Sequence, residues 1–252
     1  MLETKERTRY EDTRKVILTG IVQAPDLRYT PGGLAIFEAT LAGESGGVPF
    51  FQRFKAFGKF AELIVEQLPE GAAAFVVGDL SHSTWEVQGG RRERLEVIAR
   101  QVEAIPAEET TQSKSGKTLL PDAINQVTLV ARLVEKPELR YLPQGTALVR
   151  VRVAFNDTQR GHFATLQLWE EAAERFADKQ PQKGQRVLVL GRLVGRSFTT
   201  QTGEKRYENV IEGQRVLLAK SGEKRNPKPE TPAVSEPDPF EDEFPPEEDL
   251  PF

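Results

Sequence analysis

The chain has 252 residues, a formal net charge of −4 and no cysteine, so it suits one or two domains and excludes disulfide bonds and thiolate chemistry. Its two histidines, His82 and His162, do not stand at a spacing that predicts a metal site. No apolar run approaches the roughly 20 residues that cross a bilayer, and residues 1–12 lack the apolar core of a signal peptide. We therefore expect a cytoplasmic protein with no membrane partner.

The charge is unevenly distributed along the chain. Residues 221–252 hold three basic and ten acidic side chains, a net charge of −7. Residues 14–105 carry a net charge of −1, whereas residues 123–218 carry +5. The basic charge is thus concentrated in the second half of the folded part, and the acidic charge in the C-terminal tail.

The first half of the chain predicts strands interrupted by one helix. Apolar residues between Phe60 and Leu68 recur at i, i+3, i+4 and i+8, which indicates one face of a helix, and Gly71 ends it. A short loop is predicted over Gly43–Pro49. Strands are predicted at 15–29, 34–42, 50–57, 72–86 and 92–103.

The second half repeats this order after a polar segment. Residues 106–122 contain Gly, Ser, Thr and Pro and are interpreted as a linker. Residues 220–252 are rich in Pro and Glu and cannot bury enough apolar surface to offset the entropy of ordering, so a disordered tail is predicted. A short helix is expected near 170–180, and strands near 126–135, 147–155, 162–169, 186–200 and 205–218.

The two halves are copies of one another. KVILTGIVQAPDLRY at 15–29 matches QVTLVARLVEKPELRY at 126–141, at a spacing of 111–112 residues. Aromatic positions stay in step, as the pairs Phe51 and Phe163, Phe57 and Trp169, and Trp85 and Phe198 illustrate. We therefore predict two homologous domains, 1–105 and 123–219, joined by the linker 106–122 and followed by the tail 220–252.

Five strands with a helix between the third and fourth is the order of the OB-fold, a five-stranded Greek-key barrel. The predicted fold class is all-β, with two tandem OB-fold barrels, one short helix in each repeat and a disordered acidic C-terminal tail. Another small β-barrel is the alternative.

Aromatic and basic residues recur in both repeats, whereas catalytic constellations do not. No nucleophile elbow, P-loop or His/Asp cluster is present in the sequence, so we predict no enzyme, cofactor or metal site. Single-stranded nucleic acid needs aromatic faces for its bases and Lys or Arg for its phosphates. Arg192, Arg196 and Phe198 share one strand face, as do Arg150 and Arg152. The alternative is that strand aromatics are core residues and the arginines are merely solvated.

These motifs together resemble the bacterial single-stranded DNA-binding proteins, in the form with two OB-folds per chain. The resemblance lies in the first-strand signature of both repeats and in FQRFKAFGKFAELIVEQLPEGAAAFVVGDLSHSTW at 51–85. The C-terminal EEDLPF is similar to the acidic tip of that family, which ends in Pro-Phe.

The resemblance implies sequence-independent binding of single-stranded DNA in replication, recombination and repair, by a homodimer with four OB-folds. Candidate stacking residues are Phe51, Phe57, Trp85, Phe163, Trp169, Phe198 and Tyr207. Candidate phosphate contacts are Arg28, Arg53, Lys55, Arg92, Arg140, Arg150, Arg152, Arg192, Arg196, Lys205 and Arg206. The tip that would bind replication and repair proteins consists of Glu247, Glu248, Asp249, Leu250, Pro251 and Phe252.

The first repeat departs from the family pattern on its fourth strand. Asp79, Ser81 and Ser83 stand where the family usually has basic residues. We hypothesise that the second domain supplies most of the electrostatic attraction to DNA, and the first mainly stacking and dimer contacts. A protein-interaction adaptor with little DNA affinity is the alternative function, and an OB-containing nuclease is a more distant one.

Overall fold

Each half of the chain forms a five-stranded barrel with one helix. The computed structural model describes residues 12–87, 90–199 and 205–219. The elements of the first half are β1 (Arg14–Tyr29), β2 (Ala35–Ser45), β3 (Val48–Phe57), α1 (Gly58–Val65), β4 (Ala73–Val87) and β5 (Gly90–Ile105). Two short strands follow, β6 (Thr111–Gln112) and β7 (Thr118–Leu119). The elements of the second half are β8 (Asn125–Leu133), β9 (Leu139–Tyr141), β10 (Ala147–Asn156), β11 (Gly161–Trp169), α2 (Glu170–Ala177), β12 (Arg186–Thr199) and β13 (Lys205–Leu218).

The strand pairings close each barrel in the same order. β1 pairs with β4 through its first half and with β2 through its second half, while β3 pairs with β5 in parallel. The order is therefore β1-β2-β3-β5-β4-β1, and β8 with β9, β10, β11, β13 and β12 repeat it. This is a five-stranded Greek-key barrel. The predicted fold class, all-β with two tandem OB-fold barrels, is confirmed, and the predicted tail lies outside the described residues.

A glycine bulge bends the fourth strand of each barrel. The register shifts between Val77 and Gly78 and again between Leu190 and Gly191. A Cβ atom on Gly78 would lie 2.6 Å from the carbonyl oxygen of Ile98, and one on Gly191 would meet the carbonyl oxygen of Glu212. Only glycine permits this close approach, which curves the strand into the barrel wall.

The core fills each barrel with alternating apolar side chains. Leu18, Phe37 and Phe54 are fully buried in the first barrel. Each such side chain stabilises the fold by about 1.5–3 kcal/mol relative to exposure. The short helices pack against the barrels through Ala61 and Ile64 in α1 and through their equivalents in α2. Within the described ranges, no helix is both long and apolar enough to cross a membrane.

The two barrels share one sheet. β1 pairs antiparallel with β8 from Arg14 opposite Leu129 to Leu18 opposite Asn125. In the part of the chain that the structure describes, eleven strands form a continuous sheet through both barrels. The backbone ladder therefore fixes the orientation of one barrel relative to the other.

The segment between the barrels is a docked hairpin. β6 and β7 pair antiparallel, and Leu119 is fully buried. The backbone N–H of Leu120 donates to the carbonyl of Ala42 at 3.2 Å, and that of Glu44 donates to the carbonyl of Leu120 at 2.9 Å. The polar composition of residues 106–122 did not predict this hairpin, because two consecutive leucines anchor it to β2.

The predicted loop over Gly43–Pro49 is shorter in the structure. β2 continues to Ser45 and β3 begins at Val48, so only Gly46 and Gly47 form the turn. Both have positive φ, +57° and +74°, as the type I′ turn of a two-residue hairpin requires. The prediction of a loop at Gly43 and Pro49 was wrong because cross-strand pairing carries both residues into the sheet.

Candidate nucleic-acid interface

A groove of about 1290 Å³ lies between the two barrels and is rich in basic side chains. Its basic residues are Arg53, Arg94, Lys117, Arg150, Arg152, Arg192 and Arg196. Its acidic residues are Glu93, Glu135 and Glu208. Four of the seven basic residues belong to the second barrel, and the surplus of positive charge suits a polyanion.

Hydrogen bonds across the barrels hold the floor of the groove. The buried Gln52 donates its amide to the carbonyl of Leu193 at 3.2 Å. Asn209 of the second barrel donates to the carbonyl of Leu95 at 3.2 Å. These bonds, together with the shared sheet, give the groove a fixed shape before any ligand enters.

Four predicted stacking residues each carry a cation over the ring. The distances to the ring centroids are 5.1 Å for Lys117 on Phe51, 5.2 Å for Arg94 on Trp85, 5.3 Å for Arg152 on Phe163 and 5.2 Å for Arg196 on Trp169. Phe51 and Trp85 line the groove, and Phe163 is 38% exposed. Flat rings beside guanidinium groups are the combination that binds bases and phosphates together.

A row of polar side chains runs across four neighbouring strands of the second barrel. Arg150 lies opposite Gln167, Gln167 opposite Glu212, and Glu212 opposite Arg192. Glu212 accepts hydrogen bonds from Arg192 at 2.6 Å and Arg196 at 3.1 Å. Because two arginines share this one carboxylate, the row keeps a positive charge.

The equivalent row of the first barrel is Glu38, Lys55, Ile98 and Asp79. Glu38 pairs with three predicted phosphate contacts, Arg28 at 3.4 Å, Arg53 at 3.3 Å and Lys55 at 3.7 Å. Asp79 is buried and pairs with Lys15 at 2.6 Å and Arg100 at 2.8 Å. Each of these five cations therefore pairs with a carboxylate of its own barrel, and of the five only Arg53 also lines the groove.

Two histidines connect the barrels close to Glu93 and Arg152, which line the groove. The buried His162 stacks on Phe155 and lies 2.7 Å from Asp157, and its Nδ1 accepts the backbone N–H of His82 at 3.0 Å. The Nε2 atom of His162 must therefore carry the proton that is shared with Asp157. The imidazole of His82 lies 3.1 Å from Glu93, which also binds Arg152.

The carboxylates of this cluster are strongly acidic. The hydrogen bond from Arg152, reinforced by His82, lowers the pKa of Glu93 to about 2 despite partial burial. Burial acts to raise the pKa of Asp157, but the backbone N–H groups of Arg160 and Gln159 and the ring of His162 outweigh it and hold that pKa at about 2. Burial lowers the pKa of His82, and Glu93 offsets this only in part.

Other predicted site residues lie away from the groove or cannot be placed. Lys55 is largely enclosed between Glu38 and Glu96, and Arg140 is exposed beside Glu138. Phe57 is half-buried at the end of β3. The side chains of Arg92, Phe198, Lys205, Arg206 and Tyr207 lie outside the described residues, as do Glu247, Glu248, Asp249, Leu250, Pro251 and Phe252. Among the residues that the structure describes, no group of three His, Cys, Asp or Glu could hold a metal ion.

Sequence reasoning missed Arg94, Lys117 and Glu93. Arg94 could have been found, because the hairpin register makes it the diagonal neighbour of Trp85, which lies opposite Arg92. Lys117 reaches Phe51 only because the linker hairpin docks on β2. The contact between Glu93 and Arg152 depends on how the barrels are arranged.

Comparisons with known proteins agree with this arrangement. The family model described as the single-strand binding protein family matches residues 13–105 and 124–219. The single-stranded DNA-binding protein of Thermus aquaticus is 39% identical over 94% of this chain and 98% of its own. That of Thermus thermophilus is 36% identical over 95% and 98%. The crystal structure of the wild-type Thermus aquaticus protein superposes with a TM-score of 0.68, at 33% identity, over 86% of this chain and 98% of that chain. The resemblance inferred from the sequence is confirmed, and the chain belongs to the single-strand binding protein family.

Proposed function

We propose that the protein binds single-stranded DNA without sequence preference and acts in replication, recombination and repair. The observation that carries this proposal is the groove between the barrels, where seven basic side chains surround Phe51 and Trp85. Stacking contributes about 1–3 kcal/mol per base, and every base has a face to stack. Phosphate contacts add an attraction that does not depend on sequence. The proposal contains no catalytic step.

Tryptophan fluorescence tests the proposal directly. Trp85 and Trp169 are the two tryptophans of the chain, and each carries an arginine over its ring. Stacking of bases should quench the emission when oligo-dT is added at low salt, and mixed-sequence single strands should compete with comparable affinity.

Two variants separate the contributions of the barrels. Trp85→Phe leaves Trp169 as the reporter of the second barrel, and Trp169→Phe leaves Trp85 as the reporter of the first. An adaptor would leave both signals unchanged, and a nuclease would degrade the oligonucleotide in the presence of Mg²⁺. Unchanged emission in the wild-type protein at low salt would reject the proposal.

A homodimer with four OB-folds belongs to the same proposal. Its support is the family, because each chain contributes two barrels. Light scattering of the purified protein should give twice the chain mass of 28.2 kDa. A monomer at micromolar concentration would reject this part alone.

The C-terminal tip completes the proposal. Residues Glu247–Phe252 combine acidic side chains with Leu250 and Phe252, a combination that suits an apolar pocket with a basic rim on partner proteins. The partners proposed are replication and repair proteins of the nucleoid. Deletion of residues 243–252 should leave DNA binding intact or make it tighter, because the acidic tail competes with DNA for the basic side chains of the groove. The deletion should also abolish recruitment of the partner proteins. Weaker DNA binding after the deletion would contradict this role.

A further inference from the structure

We propose that Glu93 occupies the position that a DNA phosphate takes on Arg152, so that binding of a strand requires exchange of this carboxylate. The inference rests on the proposed function and names a residue that sets the affinity of the same groove. Glu93 is on β5 of the first barrel, Arg152 is on β10 of the second, and both line the groove.

The ion pair has the geometry of an arginine–phosphate contact. Nη1 of Arg152 donates to Oε1 of Glu93 at 2.7 Å, and Nη2 donates to Oε2. This two-bond fork is the arrangement in which a guanidinium recognises phosphate. The side chains are 37% and 45% exposed, so an incoming strand can reach both.

Arg152 lies beside an aromatic ring, so the two side chains together can bind the phosphate and the base of one nucleotide. Its guanidinium carbon lies 5.3 Å from the ring centroid of Phe163, which is itself exposed. A base stacked on Phe163 places the adjoining phosphate near Arg152. Glu93 accepts the two N–H groups of Arg152 that this phosphate would need as hydrogen-bond donors.

A comparison with Glu212 of the second barrel shows why Glu93 is the carboxylate that a phosphate can replace. Trp169, Arg196 and Glu212 form a similar arrangement of ring, cation and carboxylate. The side chain of Glu212, however, is only 15% exposed and binds both Arg192 and Arg196. Glu93 is three times as exposed and keeps a second partner, since His82 Nε2 lies 3.1 Å away. Its charge is therefore not left without a partner after exchange.

A double-mutant cycle on the full chain tests the exchange. Wild type, Glu93→Gln, Arg152→Gln and the double variant are titrated with oligo-dT over a series of salt concentrations. Glu93→Gln should tighten binding by about fivefold at low salt, the equivalent of about 1 kcal/mol, and should steepen the salt dependence by up to one phosphate contact. In the Arg152→Gln background the same substitution should change the affinity by less than about twofold.

Glu135→Gln is the matched control. Glu135 lines the same groove, but its carboxylate accepts the backbone N–H of Arg152 at 3.4 Å rather than the guanidinium. A general effect of removing one negative charge would appear equally in Glu135→Gln and would persist without Arg152. That result would overturn the inference.

Two other outcomes are equally decisive. Weaker binding by Glu93→Gln would show that the ion pair serves to hold the barrels together, and would also overturn the inference. If wild type itself ignored oligo-dT, the proposed function would fail instead, so the two failures can be distinguished. Unfolding curves of all five proteins, the Glu135→Gln control included, establish that each affinity refers to folded protein.

Discussion

The two barrels place opposite charges at equivalent positions of one cross-strand row. In the second barrel the row begins and ends with arginines, Arg150 and Arg192. In the first barrel it begins and ends with carboxylates, Glu38 and Asp79. The strand pairings and the glycine bulge are nevertheless the same. The comparison teaches that the fold tolerates reversal of these charges because its register is set by backbone contacts and apolar core side chains.

The reversal changes what the cations of each barrel do. Glu38 pairs with Arg28 and Arg53, and Asp79 pairs with Lys15 and Arg100, so these ion pairs lie within the first barrel and contribute to its stability. In the second barrel Arg192 and Arg196 share Glu212 and line the groove. The hypothesis that the second barrel supplies most of the electrostatic attraction is therefore physically reasonable, and it stays a prediction.

The largest expected effect comes from removing the cations of the second barrel. Changing its four groove arginines to Gln should weaken DNA binding at low salt by about a thousandfold, at roughly 1 kcal/mol each. It should also reduce the slope of log K against log salt by about 3, whereas Arg53→Gln with Arg94→Gln should reduce it by well under the value of about 1.4 for two full phosphate contacts, because Glu38 and Glu96 already pair with these arginines. The measurement is a fluorescence titration over a series of salt concentrations. Equal reductions per arginine in affinity and slope would break the comparison.

Asp79→Asn should lower the free energy of unfolding by about 3 kcal/mol, because it removes a buried carboxylate that pairs with Arg14, Lys15 and Arg100. Denaturant unfolding measures this loss. Arg192→Gln, the change at the equivalent position, should alter stability by less than about 1 kcal/mol and weaken DNA binding instead. Similar stability losses in the two variants would contradict the division of roles.

A smaller effect is expected from acid on the histidine cluster between the barrels. Asp157 titrates at about 2 in the folded protein against an ordinary 3.8, so its contribution, about 2 kcal/mol, is complete above pH 4 and is lost as the pH falls towards 2. The contribution of Glu93 to stability is likewise lost as the pH falls, from about pH 4.5 downwards. The pKa of His82 is lowered by burial, so the unfolded chain takes up its proton first and stability begins to fall below about pH 6.5.

Denaturant unfolding between about pH 7 and pH 3 checks this profile. Asp157→Asn should flatten the lowest part of the curve, and His82→Gln the part just below pH 6.5. A stability that is constant between about pH 6.5 and pH 3 would contradict the expected linkage. Since His82 is in the first barrel and Asp157 in the second, the two variants show whether acid weakens both sides of the contact.

Much of the fold could be predicted from the sequence. The strands and both helices follow from alternation and helical periodicity, and glycines such as Gly71 mark element ends. The two-residue period of a strand predicts that Arg150 and Arg152 share one strand face, and that Arg192 and Arg196 share another.

The rest of the site depends on contacts between distant residues. The groove exists because β1 pairs with β8, and no local pattern specifies that register. The enclosure of Lys55 by two carboxylates and the pairing of Glu93 with Arg152 are set by cross-strand and inter-barrel neighbours. Composition alone presents these residues as ordinary exposed charges.

The pairing of β1 with β8 has a consequence for the duplicated chain. The first half of β1 has β4 on one side, and its other side would be an open strand edge if the second barrel were absent. Such an edge is a template for unwanted association with other chains. In this chain β8 of the second copy pairs with that edge. The duplication therefore protects each barrel from aggregation, and it also doubles the surface that can bind single-stranded DNA.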